Sequence, residues 1–113
     1  MNTFTINGKE YKAQPFDFNM VCELEDMGIA LEEIGSKRLS SIRAYFKMCS
    51  GLSIKKAGIE IEQQYIKYGE LDEISEVMNK EMDASDFFRA LIERAKAETA
   101  TDETEESKAE EEE

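Results

Sequence analysis

The sequence contains no histidine and no tryptophan, and its single proline is Pro15. Without histidine the chain lacks the commonest general base near neutral pH, the commonest metal ligand and the base of every Ser-His or Cys-His pair. The two cysteines, Cys22 and Cys49, form no CxxC pair, and the further ligands that a zinc site needs are missing. We therefore expect no catalytic residue, no metal and no cofactor, and we interpret both cysteines as reduced core residues.

Sequence motifs for nucleotide binding and hydrolysis are missing as well. The chain has no GxxxxGK[ST] loop, no GxGxxG and no GxSxG. Carboxylate pairs such as Glu23 and Asp26 are interpreted as solvated helix surface, because 26 acidic residues among 113 make chance pairs common. The sequence favours a protein that is not an enzyme, and a small enzyme relying on carboxylates or thiols is the least favoured alternative.

Long apolar runs and excess positive charge are the next absences. No apolar stretch approaches the roughly 18 residues of a membrane span, and the start lacks the pattern of a signal peptide. With 14 basic against 26 acidic residues the formal charge is −12, which disfavours nucleic acid and anionic membranes as partners. We expect a cytoplasmic protein, and 113 residues give room for one compact domain.

The first 14 residues have the pattern of a β-hairpin. Asn7-Gly8 lies between two alternating runs, and this dipeptide is typical of a type I′ turn because both central residues need positive φ. A two-residue loop pairs Phe4 with Tyr11 and Ile6 with Lys9. The apolar face of this hairpin then consists of Phe4, Ile6, Tyr11 and Ala13.

Residues 17–97 are predicted to form a bundle of four or five helices on which the hairpin packs. Asp17 and Ser53 suit helix N-caps, and Gly51 and Gly69 suit the residue after a helix. Asp83 or Ser85 caps a fifth helix unless the fourth and fifth run together. Apolar residues at helical spacing predict the buried stripes Met20/Leu24/Met27/Leu31, Leu39/Ile42/Phe46/Cys49, Ile54/Ala57/Ile61/Tyr65/Tyr68, Ile74/Val77/Met78/Met82 and Phe87/Phe88/Leu91/Ile92/Ala95.

Residues 98–113 differ in composition from the predicted domain, residues 1–97. This segment has nine acidic residues against Lys108, so it carries eight of the twelve net negative charges. Because it has no apolar stripe, we expect an acidic C-terminal tail that is disordered beyond a frayed helical start. Its simplest role is solubility, and the alternatives are an electrostatic tether for a basic partner or a segment that marks where a longer form of the protein continues.

A helical domain of this size cannot bury all of its large apolar side chains, since such chains hide only roughly 60–65% of their unfolded surface. We therefore expect an exposed apolar strip able to hold a partner helix or a second copy of the chain. The predicted partner-contact residues are Tyr45, Met48, Ile59, Ile66, Tyr68, Phe87 and Phe88.

Four segments of the chain carry a family resemblance: TFTINGKEYKA, FDFNMVCELEDMGI, SSIRAYFKMCSG and DEISEVMNKEMDASDFFRAL. The residues of these segments, and the order of the segments along the chain, resemble those of the tail assembly chaperones of long-tailed phages and prophages of Gram-positive bacteria. The likeness covers roughly residues 2 to 95.

This resemblance implies a protein of the bacterial host cytoplasm that is absent from the mature virion. It would bind the long, helical tape measure protein and promote polymerisation of the tail tube around it. The family makes a short form and a longer, frameshifted form that recruits the tail tube protein, and this chain resembles the short form. The resemblance points to no individual client-contact residue.

An alternative from another class is an acidic inhibitor that imitates DNA and blocks a host nucleic-acid-binding protein. Such an inhibitor needs negative charge arrayed on its folded body, whereas two thirds of the net charge here lies in the predicted tail. Salt-dependent displacement of DNA from a host target would distinguish the inhibitor from the chaperone.

Overall fold

The N-terminal residues form the predicted hairpin. A computed structural model describes the backbone of residues 2–104 and the side chains of residues 2–95. Strands β1 (Thr3–Ile6) and β2 (Lys9–Lys12) pair antiparallel, with Phe4 opposite Tyr11 as expected. The turn residues Asn7 and Gly8 have φ of 52° and 83°, the left-handed values that a type I′ turn requires.

Within the described residues 2–104, five α-helices follow the hairpin, which confirms the predicted mainly helical fold. They are α1 (Phe18–Asp26), α2 (Arg38–Ser50), α3 (Ile54–Tyr68), α4 (Asp72–Ala84) and α5 (Asp86–Thr104), with a 3-10 turn at Leu31–Glu33. β1 packs against α3 and α4, while β2 packs against α2.

Side-chain caps fix where three of these helices begin. The Asp17 carboxylate accepts the Met20 N–H at 2.9 Å, and the Ser53 hydroxyl accepts the Lys56 N–H at 3.2 Å. The Ser85 hydroxyl accepts the Phe88 N–H at 3.0 Å, and the extended backbone of Ser85 interrupts the helical conformation between α4 and α5. The fourth and fifth helices are therefore separate.

Helix α5 continues into the segment predicted to be an acidic tail. Its last residue is Thr104, which agrees with a helical start to that segment. The rest of the predicted tail, residues 105–113, lies outside the described residues.

The hairpin and helices meet in a core dominated by aromatic rings. Phe4 is fully buried, with its ring centroid 5.9 Å from Tyr11, 6.4 Å from Tyr45 and 6.2 Å from Phe46. The rings of Phe16 and Tyr45 stack at 5.2 Å with an interplanar angle of 10°. These contacts attach the hairpin to the middle of α2.

Tyr45 was predicted as a partner contact, and this prediction is wrong, because its side chain is fully buried. Its hydroxyl donates to the Gln14 carbonyl oxygen at 2.7 Å and accepts the Gln14 N–H at 2.9 Å. The backbone N–H and carbonyl of Gln14, which lies outside both strands, obtain their hydrogen-bond partners in this way. Burial raises the pKa of the Tyr45 phenol well above its ordinary value, so the group stays neutral.

The variant Tyr45→Phe is expected to lower the free energy of unfolding by about 1–3 kcal/mol, because it leaves the Gln14 N–H and carbonyl without their partner. Urea denaturation measures the change. The matched control is Tyr65→Phe, whose side chain is 58% exposed, and its effect should stay within about 0.5 kcal/mol. Equal effects of the two variants would contradict the role assigned to Tyr45.

Both cysteines are free and half-buried. Burial raises the pKa of the Cys49 thiol to about 11. Since only the thiolate reacts with iodoacetamide, a Cys22→Ser variant should be alkylated at pH 8 about 100-fold more slowly when folded than in 8 M urea. The folded rate should rise steeply as the pH approaches 11. Similar rates in the two states at pH 8 would contradict this environment for Cys49.

Candidate partner-binding groove

Large apolar side chains are exposed mainly on one helix, α3. Ile59, Tyr65, Ile66 and Tyr68 are 47%, 58%, 66% and 57% exposed, and Leu39 on α2 is 64% exposed. Ile59 and Ile66 are seven residues apart, which places them on the same side of α3 two turns apart. Neither residue belongs to the predicted stripe of α3, and both are exposed.

The orientation of α3 is set by a polar residue, Gln64. Its side-chain oxygen accepts the Asn7 N–H at 2.7 Å, and its Nε2 donates to the Glu70 carbonyl at 3.2 Å. Gln64 is therefore buried with Ala57 and Ile61. Tyr65 follows Gln64 by one position, about 100° around the helix, and is turned outward.

Three residues of the predicted α3 stripe are not in the core. Ile54, Tyr65 and Tyr68 were predicted on one stripe with Ala57 and Ile61, and all three are exposed. Tyr68 was predicted as a partner contact as well, and its exposure is compatible with that role. The buried stripe runs through Gln64 because its amide supplies partners to backbone groups that no apolar side chain would satisfy.

Leu39 also differs from its predicted position in the core. The buried face of α2 includes Ile42 and Tyr45 as well as Phe46, because the Tyr45 hydroxyl is held at Gln14. Leu39 lies in the first turn of α2, at the edge of this face, and faces solvent.

Three of the exposed side chains, Leu39 of α2 and Tyr65 and Ile66 of α3, border a concave surface that we call the α2/α3 groove. The two helices are joined by residues 51–53 only, so the chain reverses its direction there and the helices pack side by side. The groove has a volume of ≈ 1090 Å³. Its lining consists of Arg38, Leu39, Ser40, Arg43, Gly58, Ile61, Glu62, Tyr65, Ile66, Gly69, Glu70, Leu71 and Asp72.

Gly58 shapes one end of the groove. A Cβ atom at this position would lie 3.2 Å from Cδ of Arg43, which is closer than ordinary van der Waals contact. The missing side chain lets the aliphatic part of Arg43 lie directly on α3. The Arg43 guanidinium thereby becomes part of the groove wall.

The lining of the groove carries charges of both signs. Arg38 and Arg43 belong to α2, Glu62 belongs to α3, Glu70 lies in the connection between α3 and α4, and Asp72 is the first residue of α4. Between residues 2 and 95, neither arginine forms a salt bridge, although Arg38 donates to the Ser75 hydroxyl at 3.3 Å. Arg38 thus reaches α4 one turn from Asp72, and the Glu70 carboxylate accepts the Asp72 N–H at 2.6 Å.

The remaining predicted contact residues are distributed over the molecule. Of the predicted set, Ile66 lines the groove, and Ile59 and Tyr68 are exposed elsewhere on α3. Met48 is half-buried against the core and lies outside the groove. The predicted set omitted Leu39 and Tyr65, which helical spacing had assigned to the core.

Phe87 and Phe88 were both predicted as contacts, and they differ in burial. Phe88 is only 8% exposed, because its ring packs edge-on against Phe16 at 5.5 Å, so its prediction as a surface contact is wrong. Phe87 is half-buried and packs edge-on against the exposed ring of Phe18 at 5.5 Å. Neither phenylalanine lines the α2/α3 groove.

Within the described part of the chain, no three Cys, Asp or Glu side chains are grouped so that they could hold a metal ion. The described helices also include none with the length and apolar character needed to cross a membrane. No family model, no curated protein sequence and no solved structure matches this chain.

Proposed function

We propose that this protein is a phage tail assembly chaperone that binds the tape measure protein and promotes assembly of the tail tube around it. The observation that supports the proposal is the α2/α3 groove, where Leu39, Tyr65 and Ile66 remain exposed beside an apolar floor. Contiguous exposed apolar surface is characteristic of a site for another protein.

The proposed client is a long helical protein, and the groove suits a helix. Amphipathic helices bind by laying an apolar stripe into a hydrophobic groove, with anchors at positions i, i+3 or i+4 and i+7. Covering these anchors would keep a tape measure protein soluble until tube subunits replace the chaperone. No bond has to be made or broken in such a cycle.

The rest of the molecule suits the same role. The formal charge of −12 makes the chaperone, alone or bound to its client, repel other copies and so opposes aggregation. Recruitment of the tail tube protein would fall to a longer, frameshifted form of the chain. The protein would act in the cytoplasm of the bacterial host and leave before the virion is complete.

Co-expression with the tape measure protein of the same phage or prophage tests the proposal. We expect the tape measure protein to stay in the soluble fraction and to co-purify with the tagged chaperone. An equally acidic, unrelated protein of similar size is the control for charge alone. Failure of the two proteins to associate would contradict the proposed function.

The neighbouring nucleotide sequence gives an independent check. If the protein is a tail assembly chaperone, we expect a slippery site near the end of this reading frame, an overlapping second frame, and downstream a long frame that encodes a helical protein. If all three are missing, the family assignment loses its support.

A further inference from the structure

The dipeptide that forms the hairpin turn, Asn7-Gly8, is chemically labile. Asparagine is thermolabile because the backbone nitrogen of the following residue attacks its side-chain amide carbon. Glycine permits this attack best, since it has no side chain to hinder the approach and the widest choice of backbone conformations. The chain has four asparagines, Asn2, Asn7, Asn19 and Asn79, and of these only Asn7 precedes a glycine. Spontaneous deamidation of the unfolded chain is therefore fastest at Asn7.

The folded structure holds the side chain and the backbone of Asn7 against α3. Its Nδ2 donates to a carboxylate oxygen of Glu60 at 3.0 Å, and its backbone N–H donates to Oε1 of Gln64 at 2.7 Å. The remaining polar atom of the side chain, Oδ1, is buried and accepts no hydrogen bond from the described residues 2–95. All these contacts form while Asn7 keeps the left-handed conformation of the turn.

These contacts oppose the deamidation reaction. Attack on Cγ of Asn7 converts Oδ1 into an oxyanion, which has to be stabilised by hydrogen-bond donors, and Oδ1 is buried without one among the described residues. The carboxylate of Glu60, one hydrogen bond away, disfavours a second negative charge. The bond from Nδ2 to Glu60 also has to break before the amide is free to rotate. The reaction therefore requires a local opening in which the turn leaves α3.

The products of deamidation do not fit the contacts of the asparagine. An aspartate at position 7 places a carboxylate against Glu60, so repulsion between like charges replaces a hydrogen bond. An isoaspartate carries the same charge and adds one carbon atom to the main chain, which disturbs a two-residue type I′ loop. A turn that has reacted thus loses its attachment to α3.

We infer that Asn7 is a site of spontaneous deamidation that the native fold protects, and that the reaction detaches the hairpin turn from α3. In the open turn, the Gly8 nitrogen bonds to Cγ of Asn7, its proton passes to the leaving nitrogen, and the Cγ–Nδ2 bond breaks with loss of ammonia. Water then opens the resulting cyclic imide at one of its two carbonyls and gives aspartate or isoaspartate. This chemistry needs no oxidant and holds whatever the α2/α3 groove binds.

Incubation of the full-length protein at pH 8 tests the protection. Tryptic digestion and mass spectrometry follow the peptide that ends at Lys9, whose mass rises when oxygen replaces NH at Asn7. The native protein should convert at least about tenfold more slowly than the protein in 6 M guanidinium chloride, because only the opened turn reacts. Asn2 lies in the same peptide and precedes threonine, so its slower conversion provides an internal comparison.

The variant Glu60→Ala tests the contact with α3. It removes the acceptor of Asn7 Nδ2 and should raise the native rate of conversion about tenfold, while the rate in guanidinium chloride stays the same. The matched control is Glu62→Ala, which makes the same substitution at an exposed position two residues further along α3. It should leave both rates unchanged.

A pair with exchanged polarity tests the effect of the product. Asn7→Asp keeps a dipeptide that suits a type I′ turn but sets a carboxylate against Glu60. Its melting temperature, followed by circular dichroism, should fall by about 4–8 °C. Asn7→Asp/Glu60→Gln restores the hydrogen bond with donor and acceptor exchanged and should recover most of this loss. The recovery would show that charge repulsion, and no defect of the turn itself, causes the loss.

Equal rates of conversion in the native and the unfolded protein would overturn the inference. So would Glu60→Ala reacting no faster than Glu62→Ala, or Asn7→Asp/Glu60→Gln melting as low as Asn7→Asp alone. These outcomes are separate from the co-expression experiment. A chain that fails to bind the tape measure protein keeps the same protected asparagine, and a chaperone without this protection keeps its proposed function.

Discussion

The variant Phe4→Ala is expected to lower the free energy of unfolding by about 3–5 kcal/mol, the usual cost of truncating a fully buried phenylalanine. Phe4 has 0% exposure, and its ring contacts Tyr11, Tyr45 and Phe46 from the hairpin and α2. Removing the ring leaves a cavity where the hairpin meets the helices. Since domains of this size are stable by only about 5–15 kcal/mol, much of the total is lost.

Urea denaturation followed by circular dichroism measures this loss. The matched control is Phe18→Ala, because Phe18 is 62% exposed and keeps only an edge contact with Phe87. We expect the control to cost less than about 1 kcal/mol. Comparable losses in the two variants would show that the hairpin does not share the core of the helices.

The double variant Leu39→Asp/Ile66→Asp is expected to weaken binding of the tape measure protein by about 100-fold or more, as loss of two central apolar contacts usually does. The two side chains are 64% and 66% exposed, so their replacement removes no core packing. The melting temperature should stay within a few degrees of that of the natural chain, since surface substitutions change stability little. Pull-down with titrated tape measure protein measures the affinity.

Phe18→Asp is the matched control for this binding experiment. Its side chain is as exposed as those of Leu39 and Ile66, yet it lies on α1, outside the groove. We expect it to bind the client as the natural chain does. The groove would be excluded as the client site if Phe18→Asp weakened binding while Leu39→Asp/Ile66→Asp did not.

Local sequence signals were sufficient for most of the fold. Asn7-Gly8 fixed the turn and the register of the hairpin, because few residue pairs tolerate two left-handed conformations in succession. Asp17 and Ser53 marked the starts of α1 and α3 by the same kind of short-range chemistry. Each of these features depends on residues within a few positions of one another.

The lining of the groove could not be predicted in this way. Helical spacing assigned Leu39 and Tyr65 to the core, and both are exposed. Gln64 and Tyr45 are buried in their place because their side chains bind backbone groups of Asn7 and Gln14, which are 57 and 31 residues away in sequence. A pattern of apolar residues carries no information about such distant hydrogen-bond partners.

The turn of the hairpin has an influence that extends beyond the strands. Asn7 bonds to Gln64 through its backbone N–H at 2.7 Å and to the Glu60 carboxylate through its side chain at 3.0 Å. The rotational setting of α3 therefore depends on residues near the start of the chain. A peptide copied from α3 alone would lack this restraint and the α2 residues that complete the groove, so recognition of a client has to await completion of the tertiary structure.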